Sequence, residues 1–296
     1  MKWLFKLMAF LAGGTLCMAA TAGEGSFGWL YTLDLQPKGT MEFEQKLDLT
    51  TGQQSGNYNL LGSRSGIEYG VTTNFQLTGY LNAYSVNASK NYLNCDGPAP
   101  CTAGFGVPED AAGRHSYSRT QIDGVSIEAI WRLTNPVTSP VGVGLYLEPT
   151  FGQFGNSVEA RVLLQSNFLD DRLVTAINLV AEVEKITYTG GDPIQESQFD
   201  ILYGVTYNFA PQWTAGFEGR FHNDFQGYRF DTHTQQANFI GPNLHYATKD
   251  WWVTAAWRYQ LGGTCWEPGE ADCSGGMVSD SHGRNQFIVK FGFPLS

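Results

Sequence analysis

Apolar and polar residues alternate one by one along most of the chain, and the clearest case runs from 158 to 186. Within 158–168, apolar residues hold one parity while Glu159 and other polar residues hold the opposite one. After an acidic pair that begins at Asp170, the same alternation returns within 173–186. A period of two places successive side chains on opposite faces of a strand. Two such strands joined by a two-residue acidic turn predict a long antiparallel hairpin.

These predicted strands are longer than the roughly five or six residues usual in soluble sheets. They match the roughly 9–11 residues that a tilted strand needs to cross a bilayer, with apolar side chains towards lipid and charged ones towards a lumen. The rest of the chain repeats the pattern, so we expect an all-β fold, a transmembrane antiparallel β-barrel of about twelve strands. The alternating stretches are 40–51, 58–71, 75–86, 121–133, 141–151, 158–168, 173–186, 198–209, 213–223, 238–247, 251–261 and 286–293. In 238–247 we expect a bulge at Gly241-Pro242.

The connections between these stretches differ systematically in length. Every second one is a short turn, as at 72–74, 170–171 and 210–212. The connections between them are often much longer, above all 92–116 and 262–283. Short periplasmic turns and longer extracellular loops are typical of bacterial outer-membrane barrels.

The N-terminus has the features of a secretory signal peptide. Lys2 and Lys6 precede an apolar run, and small residues stand before Gly23. We therefore predict a signal peptide at 1–22, a lead-in segment at 23–39 and the barrel at 40–296. The lead-in could lie in the periplasm, fold into the lumen or add a short strand. The apolar run is too short for a membrane helix, and none is expected elsewhere.

Charge and composition narrow the class of partner. The formal net charge is −10, and loss of the signal peptide would make it more negative. Nucleic acids and anionic lipid surfaces attract basic proteins, so neither is expected as a main partner. Aromatic residues make up 14% of the chain, which disfavours disorder.

Four cysteines remain after the predicted cleavage: Cys95, Cys101, Cys265 and Cys273. Export to an oxidising compartment favours disulfides, and four cysteines permit three pairings. The local bridges Cys95–Cys101 and Cys265–Cys273 are the simplest, because each pair falls within one long loop. Metal binding is disfavoured, since there is no CxxC spacing and no suitably placed histidine.

The histidines do not indicate an enzyme. Outer-membrane hydrolases use a histidine that activates a serine or a water. His115, His233 and His282 fall in predicted loops, and His222 and His245 fall in strands beside polar residues that could bond them. We expect no catalytic residues, no metal site and no cofactor.

The charged residues of the polar parity are the candidate functional set, because an Arg or Lys near the lipid midplane costs about 2–4 kcal/mol. They are predicted to line the lumen, either around a channel or as a salt-bridge network: Glu42, Glu44, Lys46, Asp48, Arg64, Glu68, Glu128, Arg132, Glu148, Glu159, Arg161, Glu182, Glu184, Asp200, Glu218, Arg220, Arg258 and Lys290. Barrels of about eight strands are filled by side chains and those of about 16–18 are open, so twelve strands permit either state.

The chain resembles the outer-membrane β-barrel proteins of Gram-negative bacteria. The resemblance rests on the signal peptide, the alternating strands, the connector lengths and the C-terminal stretch QFIVKFGF at 286–293. The opening FGWLYTLDLQPKGTMEFEQ further resembles a poorly characterised porin-like group that brings no established substrate. One departure is that Pro294, Leu295 and Ser296 follow the last aromatic residue, where such barrels usually end on an aromatic.

These observations favour a porin-like channel in the bacterial outer membrane. Acidic residues outnumber basic ones in the lumen set, so we expect a pore that weakly prefers cations or passes neutral solutes. The alternative is a closed structural or adhesion-type barrel with disulfide-pinned surface loops. The expected partners are outer-membrane lipids and small polar solutes or ions, with no nucleic acid, and we expect a monomer.

Overall fold

The computed structural model describes residues 25–52, 56–90, 107, 116–153, 155–186, 193–266, 276–278 and 283–295. Within these residues the chain forms the closed, twelve-stranded barrel that the alternation predicts. The strands are β1 (Met41–Thr51), β2 (Asn57–Thr72), β3 (Phe75–Ser89), β4 (Tyr117–Thr134), β5 (Gly142–Gly152), β6 (Gly155–Phe168), β7 (Leu173–Ile186), β8 (Ile194–Ala210), β9 (Trp213–Gln226), β10 (Thr232–Ala247), β11 (Trp252–Cys265) and β12 (Asn285–Leu295).

Each strand pairs antiparallel with its neighbours in sequence, and β1 closes the barrel against β12. In the closing ladder Met41 lies opposite Leu295, so β1 begins and β12 ends at the same rim of the barrel. This rim also carries the short connections β2–β3, β4–β5, β6–β7, β8–β9 and β10–β11. No helix in the described part of the chain is long and apolar enough to cross a membrane.

The turn between β6 and β7 is longer than the sequence suggests. β6 ends at Phe168 and β7 begins at Leu173, so the turn has four residues where two are expected. Leu169, Asp170 and Asp171 have φ angles of 57°, 54° and 61°. Aspartate tolerates this left-handed region better than most residues, which lets the pair reverse the chain with Leu169 beside it.

The prediction of a bulge at Gly241-Pro242 is wrong. β10 runs through these residues, and its register with β11 shifts between Asn238 and Phe239 instead. Asn238 pairs with Gly262 and Phe239 with Gln260, so the extra residue is Leu261. Glycine after a bulged residue eases the local change in twist. A Cβ on Gly241 would lie 1.7 Å from the Trp257 carbonyl oxygen, so this glycine permits close contact between β10 and β11.

The outer surface of the barrel is apolar. Large side chains of the apolar parity, such as Ile127, Leu147, Ile177 and Phe217, are exposed. Near the short-turn rim this face also carries exposed aromatic rings, namely Trp131, Phe168, Phe209, Trp213, Trp251 and Phe293. Aromatic rings at such a level typically lie at the lipid headgroups.

The predicted cysteine bridges fall only partly within the described residues. Cys265, the last residue of β11, takes part in a disulfide. Cys95, Cys101 and Cys273 lie outside the described residues, as does the predicted signal peptide. The two local pairings therefore stay a prediction.

Candidate functional site

The charged residues of the polar parity lie on the inner face of the barrel wall. Some are almost fully buried: Glu42, Glu44, Lys46, Glu68, Glu128, Glu148, Asp200, Glu218, Arg258 and Lys290. Others are half-buried: Asp48, Arg64, Arg132, Glu159, Arg161, Glu182, Glu184 and Arg220. Several of them are also covered by residues 25–36, whose position the alternation does not predict.

Residues 25–36, here called the N-terminal segment, lie inside the barrel. Phe27 and Leu33 are each 0% exposed. Phe27 packs in a cluster with Ala176 on β7 and Leu202 on β8, and Leu33 packs in another with residues of β4, β5 and β6. The sequence leaves three positions open for the lead-in segment. Residues 25–36 of it lie in the lumen.

Wall side chains hold the backbone of the segment at mid-barrel. The Glu218 carboxylate accepts hydrogen bonds from Gly28 N at 2.7 Å and Trp29 N at 2.9 Å. Asn178 accepts from Tyr31 N at 2.8 Å and donates to Tyr31 O at 3.0 Å. These bonds satisfy several backbone groups of the segment, as a buried backbone requires.

The same pattern continues towards the short-turn rim. Leu33 N donates to Gln165 Oε1 at 2.6 Å, and Gln36 N donates to Gln76 Oε1 at 2.8 Å. Arg132 Nη1 donates to Leu33 O at 3.0 Å. Among the described residues, the first backbone-to-backbone bond between this region and the wall is Gly39 N to Gly70 O. The segment is therefore bound by side chains and has no strand ladder.

The Tyr31 side chain contacts four strands of the wall inside the lumen. Its hydroxyl donates to Glu128 Oε2 at 2.6 Å and accepts from Lys46 Nζ at 2.8 Å. Its ring lies 4.8 Å from the Tyr146 ring and 4.7 Å from the Arg161 guanidinium. β1, β4, β5 and β6 thus all contribute to one pocket, here called the Tyr31 pocket.

Two aromatic–cation contacts complete the mid-barrel layer. The Arg258 guanidinium stacks on the Trp29 ring at 3.8 Å, and its Nη2 donates to Gln286 Oε1 at 2.7 Å. The Arg64 guanidinium lies 4.3 Å from the Tyr80 ring and forms a 2.6 Å salt bridge to Glu148. Planar guanidinium groups suit such combined stacking and pairing.

From mid-barrel towards the long loops, carboxylates meet in adjacent strands. Glu159 lies directly opposite Glu148 on one side and Glu182 on the other. One step further out, Glu184 lies opposite Glu196. Like charges placed directly opposite each other destabilise a sheet. Here Arg64 and Arg161 offset only part of the repulsion, through salt bridges to Glu148 and Glu159.

His222 lies between two carboxylates on this side of the barrel. Its Nδ1 is 2.7 Å from Asp200 and its Nε2 is 2.7 Å from Asp224. Arg220 forms a 2.6 Å salt bridge to the same Asp200. These contacts tie β8 to β9, as expected for a structural histidine. In the described ranges, no group of three or more His, Cys, Asp or Glu is arranged to hold a metal ion.

Part of the inner face near the long loops is apolar, which the sequence analysis missed. Tyr58, Tyr84 and Val86 pack around the loop residue Val107. Across the barrel, Phe239 packs against another loop residue, Val278. Gln260 then bonds both the N–H and the C=O of Val278, at 2.7 and 2.9 Å. The sequence does contain a signal for these clusters, which is an apolar residue such as Val86 or Phe239 at an inward-facing position of a strand.

The sequence also belongs to a recognisable family. A family of unknown function, DUF6662, matches residues 19–295. The chain belongs to this family. No curated protein matches the chain significantly.

Solved structures of outer-membrane barrels share this fold. An outer-membrane channel from Pseudomonas putida F1 matches with a TM-score of 0.56 at 10% identity, over 92% of this chain and 100% of its own. The NanC porin matches with a TM-score of 0.52 at 13% identity, over 86% of this chain and 100% of its own. With its apolar outer face, this family member has the fold of a transmembrane β-barrel, as the sequence predicts.

Proposed function

We propose that the protein is an outer-membrane channel for small polar solutes, and that the N-terminal segment closes it at mid-barrel. The observation that carries this proposal is the way in which the lumen is filled. A peptide segment occupies the centre, bound by side chains alone, and the wall behind it carries charged and amide groups such as Glu218 and Asn178. The wall would be a polar, water-compatible path once the segment moves away.

The alternative is a closed structural or adhesion-type barrel. It is supported by the same filled lumen and by the loop residues Val107 and Val278, which are almost fully buried near the long-loop rim. In this alternative the segment never leaves, and the long loops carry the function.

We further propose that the channel weakly prefers cations or passes neutral solutes. Support comes from the carboxylates of Glu148, Glu159 and Glu182, which lie in one row towards the long loops. Acidic groups in a narrow opening attract cations and repel anions.

Displacement of the segment tests the channel. A Cβ on Gly28 would lie 2.5 Å from Ile288 Cγ2 and 2.8 Å from Ala256 Cβ, so Gly28→Leu should force the segment out of its position. We expect Gly28→Leu to conduct ions in planar bilayers more often, or in larger steps, than the wild type. The matched control is Gly79→Leu, because a Cβ on Gly79 meets open space. Silence of wild type and Gly28→Leu alike would support the closed barrel.

A further inference from the structure

We infer that the Tyr31 pocket is a solute-binding site that accepts a hydroxylated ring, of the kind found in a pyranose sugar. The inference rests on the proposed channel function, because a solute reaches this pocket only when the Tyr31 side chain has left it. On this account Tyr31 occupies the position that the ring of a solute takes during passage.

The pocket binds a hydroxyl group from both sides. The Tyr31 hydroxyl donates to Glu128 on β4 and accepts from Lys46 on β1, at 2.6 and 2.8 Å. A carboxylate can only accept and an ammonium can only donate, so the pair matches a group that does both. Every hydroxyl of a sugar has that property.

The charges of Glu128 and Lys46 also disfavour the binding of an ion in the pocket. A solute anion at the hydroxyl position would lie against the Glu128 carboxylate, and a cation would lie against the Lys46 ammonium. Both opposing interactions would act at close range, because Glu128 and Lys46 lie 2.6 and 2.8 Å from that position. A neutral hydroxyl satisfies both groups at once.

The pocket also offers contacts to the two faces of a solute ring. The Tyr146 ring lies 4.8 Å from the Tyr31 ring, and Arg161 lies 4.7 Å from its centroid. An apolar C–H face of a pyranose could pack on Tyr146 as the Tyr31 ring does. The Arg161 guanidinium could then donate to ring hydroxyls, since it has several N–H groups.

The pocket keeps its shape through contacts that do not involve Tyr31. Lys46 Nζ bonds Tyr80 Oη at 2.9 Å and Glu44 at 3.0 Å. Glu128 Oε1 also accepts from Thr78 Oγ1 at 3.2 Å. When Tyr31 leaves, Glu128 loses its shortest donor while remaining in place. A hydroxyl of a bound solute can take the place of the lost donor.

The test uses the full-length chain with the variant Tyr31→Ala, which opens the pocket while the rest of the segment remains. Glucose is the probe and tetrahydropyran, the same ring without hydroxyls, is the comparator. The readout is the melting temperature of the barrel in detergent as each compound is titrated. We expect glucose to raise the melting temperature of Tyr31→Ala in a saturable way, with no effect of tetrahydropyran. Tyr31→Ser, made in parallel, opens the same pocket.

Two further variants locate the site. Tyr31→Phe keeps the pocket filled, so glucose should act on it and on the wild type at least about tenfold more weakly than on Tyr31→Ala, because the ring must first leave. In Tyr31→Ala/Glu128→Gln, glucose should bind at least about tenfold more weakly, because a hydrogen bond to a charged group contributes about 1.5–3 kcal/mol. Equal binding with and without Glu128, or binding of tetrahydropyran as strong as glucose, would overturn the inference.

The melting readout separates this inference from the proposed function. Glucose binding by Tyr31→Ala, with no conductance in any variant, would contradict the channel and leave the pocket assigned. Conductance of Gly28→Leu, with no glucose binding by Tyr31→Ala or Tyr31→Ser, would overturn the pocket alone.

Discussion

At the scale of single residues, wall side chains bind the N-terminal segment as a neighbouring strand would. Asn178 gives Tyr31 one donor and one acceptor, and Gln260 does the same for Val278. A hydrogen bond of this kind contributes about 0.5–1.5 kcal/mol net. The segment is thus held by many modest contacts, which suits an element that docks and leaves.

One residue of the segment makes its docking depend on pH. Burial raises the pKa of the Asp34 carboxyl, although Gln165 Nε2 donates to it at 3.3 Å. A raised pKa means that docking favours the protonated acid. Docking should therefore be weakest above the raised pKa and strengthen as the pH falls through it towards about 3.9, the ordinary value of aspartate.

We predict that the conductance of the wild type falls with this acidification and that Asp34→Asn shows a smaller change. Paired bilayer recordings across the acidic range would check this. A pH response in Asp34→Asn that equals the wild-type response would show that another group controls docking.

At the scale of elements, the alternation of each strand sets both the lipid face and the lumen face. On β7, Ile177 is 42% exposed while Asn178 is 0% exposed. An arginine on the lipid face near the midplane costs about 2–4 kcal/mol. We therefore expect Ile177→Arg to lower the unfolding free energy by an amount of that order, measured by urea titration in lipid vesicles.

The matched control is Glu184→Arg, the same new side chain on the opposite face of the same strand. Glu184 lies opposite Glu196, so an arginine would replace a like-charge contact with an attractive one. It should be tolerated much better than Ile177→Arg. Equal losses from the two variants would mean that the assigned faces are wrong.

The strands were predictable from the sequence because alternation is a local signal. The inward parity of Glu159 and Glu182 follows from it directly. The position of residues 25–36 does not, because every odd position from Phe27 to Leu35 is apolar or aromatic, as in a strand of the wall. Their burial depends on contacts with distant strands, for example between Phe27 and Leu202. The four-residue turn at Asp170 and the bulge at Leu261 likewise depend on pairing geometry.

At the scale of the whole molecule, charge is distributed unevenly between the centre and the long-loop side. At the centre of the barrel, Lys46 forms a salt bridge with Glu44. The row of Glu148, Glu159 and Glu182 runs from this layer towards the long loops and has fewer basic partners. The opening on that side should therefore attract cations.

We predict a modest cation preference for the open variant Gly28→Leu. Reversal potentials in a salt gradient would measure it. The preference should shrink as salt rises, because about 0.15 M salt screens charges beyond about 8 Å. An anion preference would contradict the proposed role of the acidic row.

The most direct test of the whole account fixes and releases the segment in one molecule. Ser26 Oγ lies 3.2 Å from Thr206 Oγ1 on β8, so cysteines at these two positions would place their sulfur atoms close enough to form a disulfide. The variant Ser26→Cys/Thr206→Cys can therefore tether the segment to β8 when oxidised and free it when reduced. The wild type with and without the same reductant controls for the native cysteines. The account predicts a closed barrel when the tether is oxidised and conductance that rises on reduction. Conductance that is unchanged by the tether would show that the segment does not control the lumen.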